Sequence, residues 1–160
     1  MNDRSGKIFV LKLILITATA AWMAFIFSMS ARSAESSSAM SIRLAEGIFD
    51  ILIPDFGELG EDKRSEYIEA AQFPVRKGAH FMEFAVLGAL LFWDVSLFTG
   101  AGGRRAFLLA VLLALAYAAS DEFHQLFEAE RSGKLTDILI DAMGACAGAF
   151  FCRMLRDRRR

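Results

Sequence analysis

Four stretches of this sequence run for 15 to 22 residues almost without charge, and they constrain the fold more than any other feature. A bilayer core takes about 20 apolar residues to cross as a helix, and a helix is the simplest structure that satisfies its own backbone groups in hydrocarbon. The runs therefore predict an all-α membrane protein of about four transmembrane helices, at approximately 8–29, 74–98, 106–127 and 136–155, in a single membrane domain 1–160. The hydrophobic share, 55%, stands above that of an ordinary soluble domain.

Each run has its own irregularity. The first carries Lys12 near its start, where a long side chain can reach back to the interface. Arg4, Lys7 and Lys12 would also suit the charged region of a cleavable leader, but the run from Ile8 to Met29 exceeds the usual length of such a leader's apolar part. The third run is apolar only from Ala106 to Ser120, so a full crossing has to continue through Asp121–Phe127 and take polar groups into the bilayer. In the fourth, Asp137 and Asp141 lie one turn apart, and Gly144 and Gly148 continue that face as a small-xxx-small pair suited to close helix contact.

Between the first two runs lies a polar loop, 30–73, too long for a turn. Ile42, Ala45, Phe49 and Leu52 recur in it at helical spacing, which predicts a short amphipathic helix ending before Pro54 and able to lie on the membrane surface. A second polar helix is expected around Glu61 to Gln72, with Pro74 in the first turn of the span that follows.

Charge is segregated along the chain. The N-terminal segment, the Gly-rich loop ending in Arg104 and Arg105, and the C-terminal tail hold three, two and five Lys or Arg in short stretches. Dense basic segments of that kind face the cytoplasm, so both termini are expected there, and the loop after the first helix is expected to be extracytoplasmic. The basic tail follows an apolar helix and suits anionic lipid rather than nucleic acid. Cys146 and Cys152, six apart on one helix, point in different directions and do not bridge.

Four-helix connectivity brings the start of the second span, the end of the third and the start of the fourth to one membrane face. Lys77, His80, Glu83, Asp121, Glu122, His124, Gln125, Arg131, Asp137 and Asp141 thereby fall in one layer, including both histidines. Each ionisable group at membrane depth costs about 2.5–3.5 kcal/mol on insertion scales unless paired or wetted, so the layer implies mutual pairing or function. Three readings are open. In a structural network, Lys77 and Arg131 neutralise acids and the imidazoles supply hydrogen bonds. In a metal site, His80 and His124 with Glu83 and Glu122 offer two nitrogens and two oxygens, a donor set that suits zinc. In a catalytic site, His124 or Glu122 serves as a general base, with His80 and Glu83 beside it.

The strings Lys77-Gly-Ala-His80-Phe81-Met-Glu83-Phe84, Asp121-Glu122-Phe-His124-Gln125-Leu-Phe127 and Arg131-Ser-Gly-Lys-Leu-Thr-Asp137-Ile-Leu-Ile-Asp141-Ala-Met-Gly144, in that order and spacing, resemble the VanZ-like family of small bacterial membrane proteins. The first helix, with Phe27-Ser28-Met29-Ser30 after it, resembles the family's N-terminal part, whereas the segment from Phe49 to Phe73 has no counterpart. The family often has Pro-Gly before the arginine, and here Ala129-Glu130 stand there. The resemblance implies the bacterial cytoplasmic (inner) membrane and a link to resistance to the glycopeptide teicoplanin, but no defined biochemical activity.

Two functional classes follow. The first is a protein that binds an envelope glycan, a lipid-linked precursor or a glycopeptide at the extracytoplasmic face, because charges and aromatics are present without a complete catalytic set. The second is an intramembrane hydrolase using His80, Glu83, Glu122 and His124, with or without zinc. A transporter would need a homodimer, since four helices enclose little space. The predicted orientation is checked by a cysteine introduced at Ser37 in a background without Cys146 and Cys152. An impermeant thiol reagent should label it in intact cells, and labelling only after lysis would invert the topology.

Overall fold

The computed structural model describes residues 3–125 and 135–158. Its elements are α1 (Asp3–Ser30), α2 (Ala34–Leu52), a short 3-10 turn (Phe56–Glu58), α3 (Glu61–Thr99), α4 (Gly103–Gln125) and α5 (Leu135–Asp157). All described regular structure is helical, and α1, α3, α4 and α5 are long and apolar enough to cross a membrane. The expected residues Leu126 and Phe127 of the third span, together with Arg131, lie outside the described residues.

The main departure from expectation is α3. Its 39 residues form one continuous helix, and Pro74 lies inside it rather than in its first turn. At 1.5 Å per residue α3 is about 58 Å long, roughly twice the bilayer core, so its polar N-terminal part extends beyond the membrane. Proline removes one backbone hydrogen bond, but the residues before it, Glu61 to Phe73, are rich in strong helix formers, and Glu61 and Asp62 favour the helix start electrostatically. Tertiary contacts hold the extension as well. Tyr67 meets Phe49 and Phe56 with ring centroids 5.6 and 6.2 Å apart, Phe49 and Phe56 are 5.3 Å apart, and Arg64 lies over the Phe56 ring. Phe56 and Ala45 are almost fully buried in this small satellite core. The hairpin of α2 and the start of α3 is thus a packed headpiece.

The amphipathic helix is also longer than its apolar spacing indicated. The serine-rich stretch starts it, because the Ser33 side chain caps the helix by accepting from the Ser36 amide.

Small residues build the membrane core. On α4, Ala106, Ala110, Ala114 and Ala118 are fully buried at four-residue spacing, and Phe84, Leu87 and Phe92 of α3 fill the space they leave. The closest helix pair is α3 with α5. A Cβ on Gly144 would overlap the Phe81 carbonyl oxygen, one on Gly148 the Ala85 carbonyl oxygen, and one on Gly88 the Ala145 backbone. The two backbones therefore touch, as the Gly144 and Gly148 spacing predicts. Near one end Lys77 meets Asp137, and near the other Arg156 donates to Ser96; each pair is 60 apart in sequence, so the helices run parallel in constant register. Arg156 also donates to the Ala101 carbonyl at 3.0 Å, which ties the C-terminal helix to the loop after Gly100, a residue in the left-handed conformation that favours glycine (φ 67°).

The first helix is peripheral. Ile8, Phe9, Leu13 and Ile14 are exposed on its surface and suit contact with lipid. Polar side chains attach it to the bundle: Trp22 Nε1 donates to the Glu83 carbonyl at 2.9 Å, Tyr117 donates to the Met23 carbonyl at 2.7 Å, and the Thr19 hydroxyl lies against the Asp94 carboxyl.

Gly148→Val should lower thermal stability in detergent by about 2 kcal/mol or more, the scale of overpacking in a tight core. Gly47→Ala, at a position with open space around it, should be neutral or slightly stabilising. Equal melting temperatures for the two variants would mean that the glycine contact does not set the packing.

Candidate functional site

The polar layer begins where the alanine stripe of α4 ends. After Ala118 the same buried side continues as Asp121, Glu122 and Gln125, all 5% exposed or less. Facing it are Lys77, His80 and Glu83 on α3 and Asp137 and Asp141 on α5. Arg131 lies outside the described residues, so its expected place in the layer has no structural description.

Two pairings connect α3 with α5. Lys77 Nζ donates to Asp137, which also accepts from the Thr136 hydroxyl at 3.1 Å, and the ammonium lies 5.6 Å from the centre of the Phe73 ring. One turn deeper, His80 Nδ1 is 3.6 Å from Asp141 Oδ1, and Asp141 is only 1% exposed. Of the described partners considered for Asp141 from sequence, His80 lies nearest, beyond hydrogen-bond distance, and Lys77 goes to the shallower acid. Glu122, Asp121, Asp137 and Glu83 all act electrostatically on Asp141, so acids crowd this point of the layer.

A second group sits between α1, α2, α3 and α4. Here a partly enclosed cavity of about 60 Å³ has Arg76, His80, Glu83 and Asp121 in its wall, with Ser30 of α1 and Ser37 and Ser41 of α2. Met29, Met40 and Leu44 supply apolar lining. Gln125 fixes one side by donating to Ser30 Oγ at 2.9 Å and to Asp121 Oδ2 at 3.3 Å. Arg76 fixes another by donating to Ser38 Oγ at 2.9 Å, which holds α2 over the cavity. Among the described residues, Arg76 Nε and Asp121 Oδ1 are buried without a hydrogen-bond partner.

The residues singled out from sequence therefore divide. His80, Glu83 and Asp121 share the cavity wall, Gln125 supports it, and Lys77, Asp137 and Asp141 form the link between α3 and α5. Glu122 is buried on α4 outside the cavity lining, and His124 stacks near Phe27 with ring centroids 4.7 Å apart. The four residues considered for catalysis or for zinc are thus not gathered around one cavity. Among the described residues no three His, Cys, Asp or Glu side chains are placed to hold a metal ion. Cys146 and Cys152 are free thiols, as their spacing implies.

Sequence reasoning passed over Arg76, Ser30, Ser37 and Ser41. Arg76 stands four residues before His80 and seven before Glu83, so a helical stripe through the known candidates reaches it. Ser37 and Ser41 are likewise one turn apart on α2. The cavity depends on the α2 fold-over, which no periodicity reveals.

The geometry predicts which pairs are coupled. In a double-mutant cycle, Lys77→Met with Asp137→Asn should show an interaction of about 1–3 kcal/mol in detergent unfolding, while Lys77→Met with Asp141→Asn should be close to additive. The single change Asp141→Asn should cost more stability than Asp137→Asn, because it lies deeper beside His80. Additivity in the first cycle would remove the α3–α5 ion pair as a structural element.

Sequence comparison gives the site its wider setting. The model of the VanZ/LLP1 family matches residues 15–156, which takes in the second half of the first span, nearly all of the other three, α2 and every described residue of the polar layer. No curated protein and no solved structure matches the chain. With a match over nearly its whole length and an all-helical four-span architecture, the chain belongs to the VanZ/LLP1 family.

Proposed function

We propose that this protein binds a component of the bacterial cell envelope at the extracytoplasmic face of the cytoplasmic membrane, using the polar cavity beneath α2. The observation that carries the reading is the composition of that cavity: a guanidinium, an imidazole and two carboxylates line a space that opens beside a surface helix. Charged groups at this depth are costly, and a purely structural network would use them in pairs, as Lys77 and Asp137 do. Arg76, Glu83 and Asp121 instead line the cavity wall. Preformed concave sites with a few convergent polar groups are the usual form of a binding site.

The candidate ligands remain an envelope glycan, a lipid-linked precursor and a glycopeptide such as teicoplanin. Binding of the glycopeptide, or of the precursor that it recognises, would connect the site to resistance. The hydrolase reading draws no comparable support, since it needs Glu122 and His124 to act together with His80 and Glu83.

The protein in lipid nanodiscs should bind at least one of three probes saturably: teicoplanin, a polyprenyl-diphosphate-linked disaccharide precursor, or a nanodisc phospholipid retained after detergent extraction. Arg76→Gln should weaken that binding by about tenfold or more, the loss expected for one charge-assisted hydrogen bond. Ser28→Ala, a change at an exposed hydroxyl that donates to the Phe25 carbonyl of its own helix, should not weaken it. No saturable binding of any probe by folded protein would refute the proposal.

A further inference from the structure

The charges in the cavity wall are of both signs, and that restricts the ligand. An anion alone, such as free phosphate, would suit Arg76 but would lie against Glu83 and Asp121. A simple cation would suit the acids but would lie against the guanidinium. Within the described part of the layer the acids Glu83, Asp121, Glu122, Asp137 and Asp141 outnumber the fixed cations Arg76 and Lys77, and Lys77 is already engaged by Asp137. A ligand that brings one positive and one negative group satisfies both walls, and neither charge of the pair is left facing its own sign.

The unpartnered atoms specify the two ends. Asp121 is 3% exposed, its Oδ2 accepts from Gln125, and its Oδ1 accepts from no donor among the described residues, which suits it to receive an N–H. Arg76 uses one terminal nitrogen on Ser38 and keeps a buried Nε–H without an acceptor among the described residues, and a guanidinium edge is matched to phosphate oxygens. Ser30 accepts from Gln125 through its oxygen, which leaves its hydroxyl hydrogen to donate. Size narrows the choice further. The cavity, about 60 Å³, accepts roughly four to six water-sized groups. That is the scale of part of a small headgroup, with the remainder in the cavity's opening, and a glycan or a glycopeptide would place only one polar group there. Met29, Met40 and Leu44 give the cavity an apolar side next to its polar groups.

We infer that the cavity is a site for a phosphoethanolamine group, with the phosphate on Arg76 and the primary ammonium between Asp121 and Glu83. This rests on the envelope-binding reading and specifies its ligand. Two sources offer that chemistry, a phosphatidylethanolamine lipid and a soluble phosphoethanolamine ester.

The test uses the full-length protein in detergent and native mass spectrometry, with phosphatidylethanolamine, phosphatidylcholine and phosphatidylglycerol of identical acyl chains supplied in equal amounts. Phosphatidylethanolamine should be retained about tenfold over phosphatidylglycerol, which lacks the cation, and over phosphatidylcholine, whose quaternary ammonium has no N–H to donate. Asp121→Asn should abolish that preference while lipid is still retained, and Arg76→Gln should weaken all three. Soluble phosphoethanolamine should displace the lipid, whereas phosphocholine at the same concentration should not; this arm needs no variant and stands if Asp121→Asn fails to fold. Displacement only by intact lipid would assign the source to the membrane. Equal retention of the three lipids, together with no difference between the two soluble competitors, would overturn the inference. If that result came with saturable binding of teicoplanin or of the lipid-linked disaccharide, the envelope-binding function would survive without this ligand; if nothing bound, both would fail.

Discussion

Backbone contact between α3 and α5 is the constraint from which the rest of this structure follows. Gly88, Gly144 and Gly148 leave no room for a Cβ, and the resulting approach fixes both the rotation and the register of two parallel helices. In hydrocarbon there is little hydrophobic drive to hold helices together, so packing of this closeness and interhelical polar contacts carry the association. Once the register is set, Lys77 has to meet Asp137 and His80 has to meet Asp141, one turn apart. The alanine stripe of α4 then closes the third side. α1 stands at the edge of this arrangement, held by Ile26 in the core and by side-chain hydrogen bonds from Thr19, Trp22 and Tyr117.

Much of this was legible before any coordinates. The four apolar runs define the spans because a bilayer imposes one length scale on every crossing. The glycine pair on the fourth run and the convergence of polar residues at one face also follow from spacing and connectivity. Pro74 was not read correctly, since the preference of proline for a first turn is a local rule, and here helix-forming neighbours with the Phe49, Phe56 and Tyr67 cluster carry the helix through it. Nor could spacing separate Lys77 from His80 as the partner of Asp141, because the two lie three residues apart and either could face that acid. The side-chain geometry chooses between them.

The candidate site was legible in its residue types but not in its grouping. A layer of ten polar residues suggests many combinations, and the structure separates them into an α3–α5 link, a buried acid on α4, a histidine beside Phe27 and a cavity wall. The deciding element is α2, which turns back over the layer and is held there by Arg76 and Ser38. The satellite core of the headpiece explains how α2 keeps that position at the edge of the membrane, since Phe56 and Ala45 are as buried as the residues of the main core.

The parallel pairing of α3 with α5 has a bearing on how the protein is made. Lys77 precedes Asp137 by 60 residues, and His80 and Glu83 leave the ribosome well before α5 exists. Two charged helices must therefore enter the membrane before the helix that completes their pairing. Until α5 arrives, the polar ends of α3 and α4 are best accommodated at the membrane surface, in contact with water, and α3 has the length to stay there. Its extension beyond the bilayer lets the helix settle deeper or shallower without exposing a broken end, so α5, made after them, can draw the earlier helices into final depth.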